Sequence, residues 1–183
     1  DKAKLEEVEA YYEQCEQEGA NENQIEESKK AMTQLEIVLG DKDRLQAIAE
    51  DFVTHYEKRV AEGSTVCGKA MFVCASREIA YKLYGCIRDL RPDWIIAKGA
   101  EDVTELSERE RKEIKPMPKM NLVMTRNKDD KKVLWNLLGN DEYRRELDRQ
   151  FKNAKSNFKI AIVVDMWLTG FDVPELDTLY LDK

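Results

Sequence analysis

Hydrophobic positions in the first third of the chain recur at helical spacing. Leu5, Val8, Tyr12 and Cys15 share one face, as do Leu45, Ile48, Phe52 and Tyr56. Gly19-Ala20-Asn21 and Gly40-Asp41 interrupt the pattern, which predicts two or three helices before residue 63. From residue 69 the rhythm changes. Short uninterrupted apolar runs, AMFVCA (70–75), WIIA (94–97), NLVMT (121–125), KIAIVV (159–164) and TLYL (178–181), read as strands. Helix-like stretches lie between them, around 76–91, 103–115, 128–138 and 141–153. Continuous apolar runs suit strands covered on both faces, as in a parallel sheet. Their alternation with helices predicts an α/β fold, a doubly wound and mostly parallel sheet over residues 64–183, preceded by a helical segment over 1–63.

Ligands of such sheets gather beyond the carboxyl ends of the strands. That rule singles out Ser76–Arg77, Lys98–Gly99, Thr125–Arg126 and Asp165–Asp172. Ser76 is placed to cap the helix after the first strand. Arg77 would stand in that helix's first turn, where its charge opposes the helix dipole, so a negatively charged partner would explain it. Thr125 and Arg126 end a strand, and a helix opening over Lys128–Lys132 would direct N–H groups to the same edge, an arrangement suited to phosphate. In DMWLTGFDVPEL, Asp165 and Asp172 bracket Thr169-Gly170. Gly170 permits a close backbone approach, and Pro174 stops any helix before the next strand. Two carboxylates around a glycine at a strand's carboxyl edge point to function rather than packing.

Charge refines the picture. The chain is acidic overall, with a net charge of −7, yet residues 1–63 hold 17 acidic and 8 basic side chains, and residues 109–159 hold 15 basic and 8 acidic. A local basic face leaves a polyanionic partner open despite the acidic total. No run approaches the ~20 apolar residues of a membrane span, and no signal peptide opens the chain. Cys15, Cys67, Cys74 and Cys86 lack C-x-x-C spacing and read as reduced thiols of a cytoplasmic protein. A start without Met and a stop at LYLDK, where a strand ends, read as marks of a fragment.

Three patterns fail on chemistry. GSTVCGK (63–69) matches the phosphate-loop spacing, but Ala70 follows the Lys where a Mg²⁺-binding Ser or Thr is needed. The loop also leaves a helix and enters a strand, the reverse of a phosphate loop, so it reads as a flexible connector. Pro92-Asp93 with Glu110-Arg111-Lys112 imitates a metal-nuclease pattern, but the acids fall before a strand and in a charged helix. His55 has no ligand spacing around it, and no G-x-G-x-x-G occurs.

Residues about 36–183 resemble the second RecA-like motor domain of the restriction (R) subunit of type I restriction-modification enzymes, which are superfamily 2 DNA translocases. IAIVVDMWLTGFDVPELDTLYLDK (160–183) is similar to the family's motif V and following strand. Thr169 stands where generic helicases of the superfamily carry Arg. GKAMFVCASREIAYKLY (68–84) resembles motif IV, and NLVMTRNKDD also fits. The resemblance implies that residues 1–63 link the two motor domains. It implies that Ser76, Arg77, Thr125 and Arg126, with Asp165 and Met166, face double-stranded DNA. By the same carry-over Thr169, Gly170 and Asp172 lie close to ATP, with Asp172 at ribose, water or an arginine finger. ATP and Mg²⁺ would be bound mainly by the first motor domain, and this chain would supply no catalytic or metal-binding residue. The arginine-bearing motif VI and the nuclease domain would lie elsewhere in the parent, leaving the fragment inactive by itself. The parent would be an ATP-dependent DNA translocase and endonuclease of the cytoplasm, working with methyltransferase and specificity subunits and no membrane. Two alternatives remain at this stage: a motor from another superfamily 2 branch, or a non-catalytic α/β interaction module with the acidic helices as a docking arm.

Overall fold

The structure, a computed structural model, describes residues 22–100, 106–164, 166–167 and 172–182. It divides into two units, Asp1–Asp41 and Lys42–Lys183. In the first, the described element is helix α1 (Glu22–Leu39), which ends at the turn over Gly40-Asp41. Leu5, Val8, Tyr12 and Cys15 lie outside the described residues.

The second unit is built on four parallel strands: β1 (Lys69–Cys74), β2 (Met120–Val123), β3 (Ile160–Val163) and β4 (Leu176–Asp182). Their order is β2-β3-β1-β4, every pairing is parallel, and Met71, Ala161 and Asn121 align across the centre. Helices cover both faces, as the unbroken apolar runs require. Helix α2 (Lys42–Ala61) packs against helix α3 (Arg77–Leu90) on one side. There Phe52 meets Phe72 of β1 edge-on at 5.4 Å and Tyr180 of β4 at 4.8 Å. Helix α2, whose residues the pattern set with the preceding helices, is thus part of the α/β unit. On the opposite face, helix α6 (Asp141–Lys152) lays Leu147 and Phe151 over Met71, Val73, Ala161, Val163 and Val123. The all-parallel, helix-flanked sheet is the expected α/β architecture.

One expected strand is absent. WIIA forms no strand. Residues Pro92–Ile95 wind into a 3₁₀ turn, with Trp94 N–H donating to Arg91 O at 3.0 Å and Ile96 N–H to Asp93 O at 3.2 Å. Pro92 opens this turn because its fixed φ suits a helical start and its missing N–H is not needed there. Trp94 is buried against Tyr56, and the Lys119 ammonium lies 5.1 Å from its ring. Lys98–Gly99 therefore does not stand at a strand's carboxyl end. Lys98 instead forms a lone antiparallel bridge to Met117. The helix expected over 103–115 is the short α4 (Glu108–Glu113), opened by a Ser107–Glu110 capping box. The stretch expected over 128–138 is the short α5 (Lys132–Leu138).

Candidate functional site at the carboxyl edge of the sheet

All four strands run the same way, so the segments leaving β1, β2 and β3 emerge on one edge. From β1 the chain travels toward β2, while from β3 it crosses β1 to reach β4. Connections that leave adjacent strands in opposite directions open a crevice between them, the usual ligand position in an open α/β sheet. Ser76 and Arg77 follow β1, and Met166 follows β3, on the two sides of that crevice.

Ser76 caps α3, its hydroxyl accepting from Ile79 N–H at 3.4 Å. The negative partner that Arg77 called for is within the chain. Its Nη2 donates to both carboxylate oxygens of Asp130 at 2.7 Å, and Nη1 donates to Thr125 O. The two side chains are 15% and 8% exposed. Since β3 lies between β1 and β2, this guanidinium straddles the carboxyl end of β3 and ties the exits of its two neighbours together. Asp130 also accepts from Asn127 N–H at 2.7 Å, which closes the turn after β2. Sequence reasoning missed Asp130 because the pairing spans more than fifty residues, although the unfavourable helix position of Arg77 was a signal.

Thr125 is exposed, with its carbonyl held by Arg77. Arg126 lies over the Trp135 ring at 4.5 Å and donates from Nε to Trp135 O at 2.9 Å. This cation–π contact leaves an aromatic and cationic surface next to the exposed Lys128, Lys131 and Lys132. Met166 packs at the edge of the α6-side core, and Trp167 stacks on Phe151 at 5.4 Å. Trp167 has φ of 62°, a left-handed conformation that costs a bulky residue about 1–2 kcal/mol. Sequence reasoning assigned backbone freedom to Gly170 and gave no hint of Trp167. Asp165, Thr169 and Gly170 lie outside the described residues. Asp172 is exposed, directly before Val173, which is buried in the α6-side core.

The phosphate-like loop is held rather than flexible, and its amides already have an anion. Asp177 accepts from Val66 N–H at 2.7 Å, Cys67 N–H at 3.4 Å and Lys69 N–H at 3.0 Å. Gly68 has φ of +69°, and its carbonyl accepts from the Tyr56 hydroxyl at 2.8 Å. Lys69 does not reach outward. Its buried Nζ donates to Gln150 O, Asn153 O and Phe158 O at 3.3, 2.9 and 2.9 Å, at the carboxyl end of α6. Burial, and secondarily the Lys159 ammonium, draw its pKa down to about 7, while the three carbonyls favour the charged form. A loop so filled does not fit a nucleotide's phosphates, and in the approach to β4 exposed Asp172 offers a carboxylate of the kind that accepts from a sugar hydroxyl.

The other patterns resolve structurally. Glu110 pairs with Lys155 at 2.8 Å, and this contact with the Ser107 cap holds its carboxyl down at about 2. His55 Nδ1 lies 2.6 Å from the Tyr180 hydroxyl. Cys67, Cys74 and Cys86 are free thiols, and burial pushes Cys74 up to about 12. Among the described residues no group of three His, Cys, Asp or Glu is placed to hold a metal, and no helix is long and apolar enough to cross a membrane.

A parallel sheet, helix-flanked on both faces and carrying its candidate residues at one carboxyl edge, places the chain in the class of α/β domains with RecA-like architecture. Residues 67–183 match the family described as type I restriction enzyme subunit R domain 3. The chain belongs to that family of restriction-enzyme R subunits. It is 34% identical over 158 residues to the type I restriction enzyme HindI endonuclease subunit of Haemophilus influenzae, covering 86% of this chain and 13% of that one. It is 32% identical over 166 residues to a Methanocaldococcus jannaschii protein described as the type I restriction enzyme MjaIXP endonuclease subunit, covering 90% of this chain and 13% of that one. The chain thus spans about an eighth of the length of these relatives. No solved structure matches it.

Proposed function

We propose that this chain is part of the second RecA-like motor domain of an ATP-dependent DNA translocase, the R subunit of a type I restriction enzyme. The observation that carries the reading is the strapped carboxyl edge. Arg77 binds the exits of β1 and β2 across the end of β3, so Ser76, Thr125 and Arg126 are held at one edge of the sheet. The segment before helix α2 would link this domain to the first motor domain, and α2 would belong to the second with the sheet it packs on.

In this reading Ser76, Thr125, Arg126, Asp165 and Met166 line the path of double-stranded DNA. Arg77, committed to Asp130, serves by holding Thr125 and the following turn in place. Arg126, backed by Trp135, presents a guanidinium suited to a backbone phosphate. Thr169, Gly170 and Asp172 lie on the ATP side. Asp172 accepts from a sugar hydroxyl, water or an arginine; a carboxylate beside phosphate oxygens would repel them. ATP and Mg²⁺ would be bound mainly by the first motor domain and would supply the chemistry of in-line phosphoryl transfer there. This chain's residues close the site and couple its state to the DNA grip as one rigid edge. The complete subunit would act as a cytoplasmic, site-specific deoxyribonuclease with methyltransferase and specificity subunits, and this chain alone would neither hydrolyse ATP nor cut DNA.

DNA binding by the full-length subunit at a series of salt concentrations tests the grip. Arg126→Ala should weaken binding uniformly across sequences and reduce the log–log salt slope by about 1. An unchanged affinity and slope would remove Arg126 from the DNA path.

A further inference from the structure

We infer that Asp177 is a positioning residue for the Asp172 segment, acting through the loop that imitates a phosphate cradle. The inference rests on the ATP-side reading of Asp172 and adds the device that holds it. Strands β1 and β4 pair Lys69 with Leu176 and Ala70 with Thr178, so Asp177 is an extra residue with no partner across the ladder. Such a bulge re-aims a side chain out of the alternating pattern. The carboxylate of Asp177 is thereby turned into the loop before β1, where three converging amides receive it.

The loop in turn is held from α2. Tyr56 donates its hydroxyl to Gly68 O, and a Cβ on Gly68 would lie 3.3 Å from that same hydroxyl and 3.6 Å from Val60 Cγ2. Arg59 Nη2 donates to Ser64 O at 3.0 Å. From Asp177 back to Asp172 the chain has little freedom. Leu176 N–H donates to Val173 O at 3.0 Å, Cys67 Sγ donates to Glu175 O at 3.5 Å, and Val173 is sunk in the core. A continuous path of contacts therefore runs from α2, through the loop and Asp177, to the residue next to Asp172. The loop that imitates a phosphate cradle is an internal latch, and the anion it holds is the chain's own carboxylate.

The test uses the full-length subunit carrying Asp177→Ala, Asp177→Asn or Asp172→Ala. Hydrogen exchange in Asp177→Ala should accelerate by about tenfold or more in peptides covering both 64–69 and 172–177, while peptides of β2 and α6 keep wild-type rates. Asp177→Asn should show a smaller acceleration. Its one carbonyl oxygen can serve Val66, but its NH₂ cannot accept from Lys69 N–H. The KM for ATP should rise several-fold in Asp177→Ala with kcat changed less, and Asp177→Asn should restore part of it. Acceleration confined to 64–69, or an unchanged KM for ATP in a variant whose two segments both loosen, overturns the inference. If Asp177→Ala does not fold, the same criteria are read from Asp177→Asn. Asp172→Ala separates the two levels: undiminished DNA-stimulated ATPase there defeats the ATP-side reading, whereas the exchange pattern still decides whether Asp177 holds residues 172–177.

Discussion

Removing the Asp130 carboxylate should destabilise the domain far more than loss of a surface ion pair would. The Arg77–Asp130 pair has both oxygens within 2.7 Å of Nη2, and the side chains are 15% and 8% exposed. An exposed pair contributes about 0–1 kcal/mol. Removing one member of a buried pair typically costs about 3–5 kcal/mol, because the surviving charge stays out of water. Arg77 retains Thr125 O and some solvent contact, which places Asp130→Ala near the lower end, at about 3 kcal/mol. Loss of the Asn127 N–H acceptor acts in the same direction. Equilibrium urea unfolding of wild type, Asp130→Ala, Arg77→Met and the double variant measures the pair directly. The two single losses should not add. A coupling of about 2 kcal/mol is expected, since the double variant leaves no orphaned charge. Arg77→Lys should not rescue, because a lysine cannot span the Asp130 carboxylate and the Thr125 carbonyl together as a planar fork does. A cost below about 1 kcal/mol for Asp130→Ala, or an additive cycle, would show that the strap is a solvated surface contact and refute the reasoning.

Three further outcomes follow from the same contacts. The folded pKa of Lys69, drawn to about 7 from 10.5, lies below its unfolded value, so the folded state binds fewer protons between these limits and stability rises with pH across that window. The ceiling is about 1.4 kcal/mol per pH unit, with the three carbonyls reducing it. Urea midpoints from pH 7.5 to 9.5 should climb (roughly the middle of that window) in wild type relative to Lys69→Met, and parallel profiles would contradict this. Gly68→Ala should cost about 1–2 kcal/mol through its left-handed φ and the close Tyr56 hydroxyl, read by thermal unfolding. A thiol reagent should modify Cys67 and Cys86 in the folded protein and spare Cys74, whose thiol is buried and pushed up to about 12; labelling of all three at one rate would argue against the burial described.

The strands β1, β2 and β3 were legible because a strand covered on both faces leaves an uninterrupted apolar run; the edge strand β4 left a similar run although its Leu179 and Leu181 are exposed. The same signal misled at WIIA, since a buried 3₁₀ turn also needs apolar side chains and Pro92 was the cue that separates them. The site was legible as positions rather than as contacts. The charge of Arg77 in a helix's first turn announced an anionic partner, but nothing local could identify Asp130. The loop 63–69 was legible as something other than a working phosphate loop, because Ala70 lacks a metal-binding oxygen. Its filling by Asp177 was not, because a bulge leaves no periodic trace and the partners lie more than a hundred residues apart. Trp167 in a left-handed conformation is similarly invisible to pattern, since tertiary stacking on Phe151 offsets a strain that residue type would argue against.

The central proposal is that this chain closes an ATP site while gripping DNA, with Asp172 on the nucleotide side. DNA-stimulated ATP hydrolysis by the full-length R subunit carrying Asp172→Ala tests it most directly. Loss of hydrolysis and translocation in a variant that remains folded and still binds DNA is the result predicted, and wild-type ATPase in that variant would contradict it.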